Sequence, residues 1–66
     1  MRIEMRIREV REEKGISLSK LAEMTNISKS HLSDVERGEK EPSISIIVRI
    51  ALALHVQEKE LYKVYF

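Results

Sequence analysis

The sequence predicts a small all-α domain of five helices, and two features of the residue pattern lead to that prediction. Over most of the 66 residues, apolar side chains recur every three or four positions, which is the spacing of one helix face. Residue types that end helices interrupt this pattern at three places: Gly15, Thr25-Asn26 and Gly38 to Ser43. The length fits a single domain, residues 1–66.

The first helix is predicted from Ile3 onward. Ile3, Ile7 and Val10 fall in one stripe of a helix, and Gly15 supplies a C-terminal cap. A strand is the alternative at the start, because Met1 to Ile7 alternates apolar and charged residues. Val10 and the cap favour the helix.

The next two helices are short and close together. Ser17 is suited to cap a second helix that ends near Met24. Asn26 suits a left-handed turn, and Ser28 is suited to cap a third helix that ends at Gly38. The segment therefore predicts a helix, a tight turn and another helix.

The last third of the chain predicts one long and one short helix. Ser43 is suited to cap a fourth helix from Ile44 to about Leu54, and a fifth begins near Gln57. The tail from Tyr62 to Phe66 suits either a helix extension or a strand, the latter paired with Met1 to Ile7.

One face of the third helix has the chemistry of a DNA-reading surface. At 100° per residue, five polar residues share an arc of about 140°: Lys29, Ser30, Ser33, Asp34 and Arg37. A helix fits the major groove, where such side chains bond to base edges. The alternative is an ordinary solvated face with an Asp34–Arg37 ion pair.

Three segments together resemble a known family. Gly15 to Ala22, Ile27 to Gly38 and Pro42 to Ile44 look like the Cro/lambda-repressor-type (XRE family) helix-turn-helix domain. The similarity spans Ile3 to about Tyr62, and is greatest to restriction–modification controller proteins and the SinR DNA-binding domain. It implies a compact five-helix, lambda-repressor-like fold in which helices two and three form the helix-turn-helix.

The resemblance also implies which residues contact DNA. The base-reading positions are Lys29, Ser30, Ser33 and Asp34. Phosphate contacts are expected at helix N-termini and nearby polar side chains: Ser17, Leu18, Lys20, Ser28, His31, Arg37, Lys40 and Ser43. Asp34 suits a cytosine amine or an ion pair equally well, and His31 suits a phosphate contact or partial packing.

Other positions are structural by the same resemblance. Arg11 and Glu36 occupy the positions of an ion pair that links helix one to helix three. Two departures from the family pattern lie in the turn, where Asn26 replaces a glycine and Thr25 replaces an apolar residue. Thr25 is expected to loosen the motif.

The composition predicts a homodimer. The fourth helix is apolar almost all round, so it needs cover on two sides, and a chain this small needs extra stabilisation. We expect a C-terminal dimerisation segment, about residues 44–66, whose interface comprises Ile46, Ile50, Ala53, Leu61, Tyr62, Tyr65 and Phe66. Two third helices about 34–36 Å apart would read a pseudo-palindromic operator.

The leading functional hypothesis is a sequence-specific DNA-binding transcriptional regulator that acts as a homodimer on double-stranded DNA. RNA polymerase and a protein antagonist are candidate further partners. The alternative is a protein-interaction module, antitoxin-like or antagonist-binding, with a degenerate helix-turn-helix. Five acidic residues against four basic ones between Gly15 and Ser45 support that alternative.

Several classes are not expected. The chain has no cysteine, and its two histidines cannot build a closed zinc site without carboxylate help, so no metal or other cofactor is expected. The chain has neither a glycine-rich phosphate loop nor a nucleophile beside a base, so it is not expected to be an enzyme. Its longest uncharged stretch, Ile50 to Gln57, is far below the roughly 20 residues of a membrane helix, and a cytoplasmic chain is expected.

Overall fold

The computed structural model describes all 66 residues and consists of four α-helices, one 3-10 helix and a two-stranded antiparallel sheet. The helices are α1 (Ile7–Glu13), α2 (Leu18–Thr25), α3 (Lys29–Glu36) and α4 (Ile44–Leu54). The 3-10 helix is Glu58–Leu61, and the strands are β1 (Arg2–Met5) and β2 (Tyr62–Tyr65). The fold is mostly helical, but the prediction of five α-helices is wrong.

The N-terminal segment is a strand where a helix was predicted. Helix α1 begins at Ile7, and residues Arg2–Met5 pair with Tyr62–Tyr65. In this register Ile3 lies opposite Val64. The alternation of Met1 to Ile7 therefore reflects a strand, which pairing with a segment some 60 residues away stabilises.

The fifth helix is a single 3-10 turn. Glu60 Oε2 accepts a hydrogen bond from the Gln57 backbone N–H at 2.7 Å, which closes the start of that turn. Leu61 follows, fully buried in the core, and Tyr62 begins the strand. The aromatic and β-branched tail forms a strand because β1 offers it a partner.

Serine hydroxyls cap three helices, as the sequence predicted. The hydroxyl oxygens of Ser17, Ser28 and Ser43 each accept a hydrogen bond from the backbone N–H three residues later, at 3.0, 3.1 and 3.2 Å respectively. These caps fix where α2, α3 and α4 begin.

Each of the four α-helices is followed within two residues by a residue in the left-handed region. Three of these were predicted, at Gly15 (φ 69°), Asn26 (φ 57°) and Gly38 (φ 75°), and the fourth is His55 (φ 57°). After α2, the Ile27 backbone N–H donates to the Ala22 carbonyl at 3.3 Å, so the chain reverses within one residue.

The core is built from all four α-helices, the turn after α2 and the 3-10 helix. Its buried members are Ile7, Leu21, Ile27, Leu32, Val35, Ile50, Ala51, Leu54 and Leu61. Arg11 and Thr25 are the two buried polar residues. None of the helices has the length and apolarity needed to cross a membrane.

Candidate nucleic-acid interface

Helix α3 presents a polar front and an apolar back. Leu32 and Val35 on the back are fully buried. On the front, Lys29 and Ser30 are exposed, and Ser33 and Asp34 are half-buried. The four residues predicted to read bases thus lie on the side of α3 that is open to a ligand.

Arg37 forms an ion-pair cluster at the C-terminal end of this front. Its Nη2 atom lies 2.6 Å from Asp34 Oδ1, and its guanidinium also bonds to Ser33 and Glu39. The hydrogen bond to Glu39 is the main reason that the pKa of Arg37 is raised, so Arg37 remains charged. In the free protein Asp34 is therefore paired with Arg37, which is the ion pair that the sequence analysis gave as the alternative to a cytosine contact.

Lys29 is the free positive charge on the front of α3. It lies at the first position of the helix and is exposed, and no carboxylate pairs with it, in contrast to Arg37. The N-terminal half of the front is therefore positive, whereas Asp34 and Glu39 offset the charge at the other end.

The residues expected at phosphates lie in three helix N-termini and around the C-terminal end of α3. Six of them are exposed: Ser17, Lys20, Ser28, Arg37, Lys40 and Ser43. Leu18 and His31 are half-buried. Lys20 Nζ lies 3.7 Å from Glu23 Oε1 in a solvated pair that restrains it little. Half-buried His31 retains both alternatives, packing and phosphate contact.

A buried ion pair fixes α3 against α1. Arg11 donates to Glu36 through Nε at 2.8 Å and Nη2 at 3.1 Å, and its Nη1 donates to the Ile16 carbonyl at 2.9 Å. The two side chains are only 10% and 6% exposed. The hydrogen bond to Glu36 raises the pKa of Arg11, which stays protonated. This bidentate contact ties α3, and with it the polar front, to α1.

Arg49 fixes the turn between α2 and α3, a role that the sequence analysis missed. Its Nη2 donates to the carbonyls of Thr25 and, at 3.2 Å, of Asn26. These carbonyls lie at the C-terminal end of α2, where a cation is favoured. The available signal was that Arg49 is the one charged residue of the fourth helix.

Thr25 fits its buried position. Its hydroxyl donates to the Leu21 carbonyl at 2.7 Å, one turn back along α2. Burial of a hydroxyl is costly only when it lacks a hydrogen bond. The Thr25 hydroxyl therefore has the partner that its burial requires, and the expectation that Thr25 loosens the motif stays a prediction.

The structure contradicts two of the predicted dimer contacts. Ile50 and Leu61 are fully buried within a single chain and belong to its core. The remaining members are half-buried, except for exposed Phe66: Ile46, Ala53, Tyr62, Tyr65 and Phe66. The error arose because the face of α4 that packs on its own chain was assigned from periodicity alone.

The exposed apolar side of α4 lies elsewhere. Ile44 is 82% and Leu52 71% exposed, and Ile3 lines a groove together with Ile44, Ile47 and Tyr62. The exposed apolar surface therefore extends from the start of α4 to the two-stranded sheet.

Two helices joined by a left-handed turn, the second buried behind and polar in front, define a helix-turn-helix domain. The family model HTH_3, Helix-turn-helix, matches residues 7–61, and the chain belongs to that family.

One similar protein is the HTH-type transcriptional regulator SinR of Bacillus subtilis (strain 168). It is 44% identical over 55 residues, which make up 82% of this chain and 50% of SinR. The chain spans half or less of the length of the curated relatives it matches.

Solved structures share the fold. The restriction-modification controller protein C.AhdI from Aeromonas hydrophila has a TM-score of 0.80 and 36% identity, covering 83% of each chain. SinR, the master regulator for biofilm formation, solved in complex with DNA, has a TM-score of 0.76 and 42% identity, covering 80% of this chain and 86% of that one. Both similarities support a lambda-repressor-like helix-turn-helix fold.

Proposed function

We propose that this chain is a sequence-specific DNA-binding transcriptional regulator that places α3 in the major groove of double-stranded DNA. The observation that carries the proposal is the front of α3, where exposed Lys29 and Ser30 stand free beside half-buried Ser33 and Asp34. Lysine donates to guanine O6 and N7, and serine bonds to several base edges. The similar protein SinR has been solved in complex with DNA, which supports DNA as the ligand of this chain.

Asp34 would act in one of two ways on DNA. When Arg37 turns to a phosphate, the Asp34 carboxylate becomes free to accept from a cytosine amine. When the pair persists, Asp34 holds Arg37 at the edge of the groove. While the pair persists, the carboxylates of Asp34 and Glu39 make the C-terminal half of α3 less attractive to phosphate than its N-terminal half.

The phosphate contacts would come from the helix N-termini and nearby side chains. Backbone N–H groups in the first turns of α2, α3 and α4 attract anions, and Ser17, Ser28 and Ser43 mark these ends. Lys20 and Lys40 add exposed positive charge. With a net charge of +1, few phosphates can be neutralised, so a moderate dependence on salt is expected.

The regulator would act as a homodimer on a pseudo-palindromic operator. Exposed Ile3 and Ile44, which line one groove, give a second copy apolar surface to cover. A two-fold dimer presents two copies of α3 about one turn of duplex apart. Binding that overlaps a promoter represses transcription, and binding beside one recruits RNA polymerase.

The test is selection of bound duplexes from a random library, followed by affinity measurements on the enriched sequence. Lys29→Glu should weaken binding by at least tenfold, because it removes a base or phosphate contact worth about 1–3 kcal/mol and adds repulsion. Lys59→Glu is the matched control: it changes the charge equally, at an exposed lysine of the 3-10 helix outside the motif.

Two outcomes would overturn the proposal. One is equal loss of affinity in the Lys29→Glu and Lys59→Glu variants, which would indicate bulk charge alone. The other is the absence of any enriched sequence with folded protein. That result would favour a protein-interaction module, for which Asp34 and Glu39 around Arg37 already supply an acidic surface.

A further inference from the structure

The outer edge of β1 is an unpaired strand edge. The Arg6 N–H donates to the Leu61 carbonyl at 2.8 Å and so continues the β1–β2 ladder by one step. Hydrogen-bonded pairs recur at every second residue of an antiparallel ladder, so Arg2 and Glu4 direct their backbone groups towards β2. The N–H and C=O of Ile3 point the other way, where no hydrogen bond reaches them.

The segment Met1 to Met5 is complementary to itself in the antiparallel direction. With Ile3 opposite Ile3 of a second copy, Arg2 lies opposite Glu4 and Met1 lies opposite Met5. Residues that lie opposite each other in antiparallel strands point to the same face of the sheet. When the two strands are identical and related by a two-fold axis, the axis must therefore pass between one residue and the same residue of the second copy. Centring the pairing on Arg2 or on Glu4 sets like charges opposite each other, which is unfavourable. Of these three registers, only the one centred on Ile3 matches every charge.

This register also extends the charge pattern of the existing sheet. Within one chain, Lys63 lies opposite Glu4, and the Arg2 guanidinium carbon is 4.3 Å from the centroid of the Tyr65 ring. Across two copies, the sheet face that carries Arg2 and Glu4 would present four side chains in a row: Lys63, Glu4, and then Arg2 and Tyr65 of the second copy. Charges alternate along this row, which begins at Lys63 and ends in the Arg2–Tyr65 cation–π contact of the second copy.

The opposite face of β1 carries apolar side chains that lack cover. Met1 is 85% and Ile3 47% exposed, although both line a groove whose other wall includes Pro42. In the register centred on Ile3, Met1 would lie beside Met5 of the second copy, and the two Ile3 side chains would meet at the axis. Edge charges usually prevent strand pairing, but here the charges of opposite sign favour one register.

We propose that two copies of this chain pair along β1, antiparallel and centred on Ile3, to form a continuous four-stranded sheet β2-β1-β1-β2. The proposal specifies the contact surface of the homodimer proposed above and rests on that oligomeric state. It does not depend on DNA binding. Two-stranded sheets are marginal alone, and a four-stranded sheet with backbone bonds across the axis strengthens both halves.

The decisive experiment uses two charge variants, alone and mixed. In Arg2→Glu the edge carries two carboxylates, and in Glu4→Arg it carries two guanidinium groups. Each variant alone places like charges opposite each other at two sites, so its self-association should weaken by about tenfold or more. Mixed in equal amounts, the variants place opposite charges at both sites and should form a heterodimer near wild-type affinity.

The mixture controls for effects within one chain. Arg2→Glu removes the contact to Tyr65, and Glu4→Arg faces Lys63, but mixing repairs neither defect. Analytical ultracentrifugation reports the association, and circular dichroism of each variant verifies folding. Recovery in the mixture supports pairing along β1. A mixture that associates no better than its components, variants as dimeric as the wild type, or a monomeric wild type would overturn the proposal.

Disulfide trapping locates the axis. The chain has no cysteine, so a single cysteine can bond only to a second copy. Opposite Cα atoms of a hydrogen-bonded pair lie about 5.5 Å apart, within the range of disulfides. Under mild oxidation Ile3→Cys should cross-link faster than Val64→Cys on the outer edge of β2 or Leu52→Cys on α4. Faster cross-linking of either control would place the axis elsewhere and refute the proposal.

Discussion

Glu36→Ala is expected to destabilise the domain by about 3 kcal/mol, the lower part of the range for breaking a buried ion pair from one side. Glu36 accepts two hydrogen bonds from Arg11, at 2.8 and 3.1 Å, and its side chain is 6% exposed. Without it, Arg11 keeps only its bond to the Ile16 carbonyl. The cost is therefore a nearly buried guanidinium without a counter-charge.

That loss is large for a chain of this length. A domain of fewer than about 70 residues rarely has more than 3–5 kcal/mol of stability. For domains of about 60–100 residues, 1 kcal/mol corresponds to a Tm shift of about 4–8 °C, so the variant should melt roughly 12–24 °C lower. Any loss of DNA binding would then follow the unfolded fraction rather than a missing contact.

Urea titrations followed by circular dichroism measure the effect. Glu23→Ala is the control, because Glu23 pairs with Lys20 at 3.7 Å while 76% exposed and should cost less than about 1 kcal/mol. The double variant Arg11→Met with Glu36→Leu should recover much of the stability, since it leaves no buried charge. A Glu36→Ala cost as small as that of Glu23→Ala would refute the assignment of a buried, stabilising pair.

Two further predictions concern positions that the sequence analysis did not single out. Arg49→Met should lower the unfolding free energy by about 1–2 kcal/mol, because the carbonyls of Thr25 and Asn26 lose a charged donor. Hydrogen exchange at the Ile27 amide should accelerate in this variant. A loss of stability no larger than that of Arg8→Met, which removes an exposed ion pair, would contradict the role of Arg49. His55→Gly should raise stability by about 0.5–1 kcal/mol, since His55 is exposed at φ 57°; a urea midpoint at or below that of the wild type would show that the left-handed conformation carries no such cost.

The helix boundaries inside the motif could be predicted because local chemistry sets them. A serine hydroxyl within reach of the backbone N–H three residues later, at Ser17, Ser28 and Ser43, needs no distant partner. The same holds for Gly15 and Gly38, which adopt the left-handed conformation at little cost. The polar front of α3 follows from the helical period once those ends are fixed.

The contacts of α4 could not be predicted in the same way. Periodicity shows that this helix is apolar nearly all round, but it does not say which side meets its own chain. Packing buries Ile50 and Leu54 while it leaves Ile44 and Leu52 in solvent. Likewise, Arg49 reaches the turn after α2 only because α4 crosses that turn.

The sequence by itself determined the helix-turn-helix and the side of α3 that faces outward, because caps, turns and the 3.6-residue period are local properties. The tertiary structure decided the two ends of the chain. Met1 to Ile7 and Tyr62 to Phe66 are each compatible with helix or strand, and a strand becomes stable only when a partner supplies its backbone hydrogen bonds. Folding of the helices brings these ends together, so β1 and β2 supply each other's backbone hydrogen bonds.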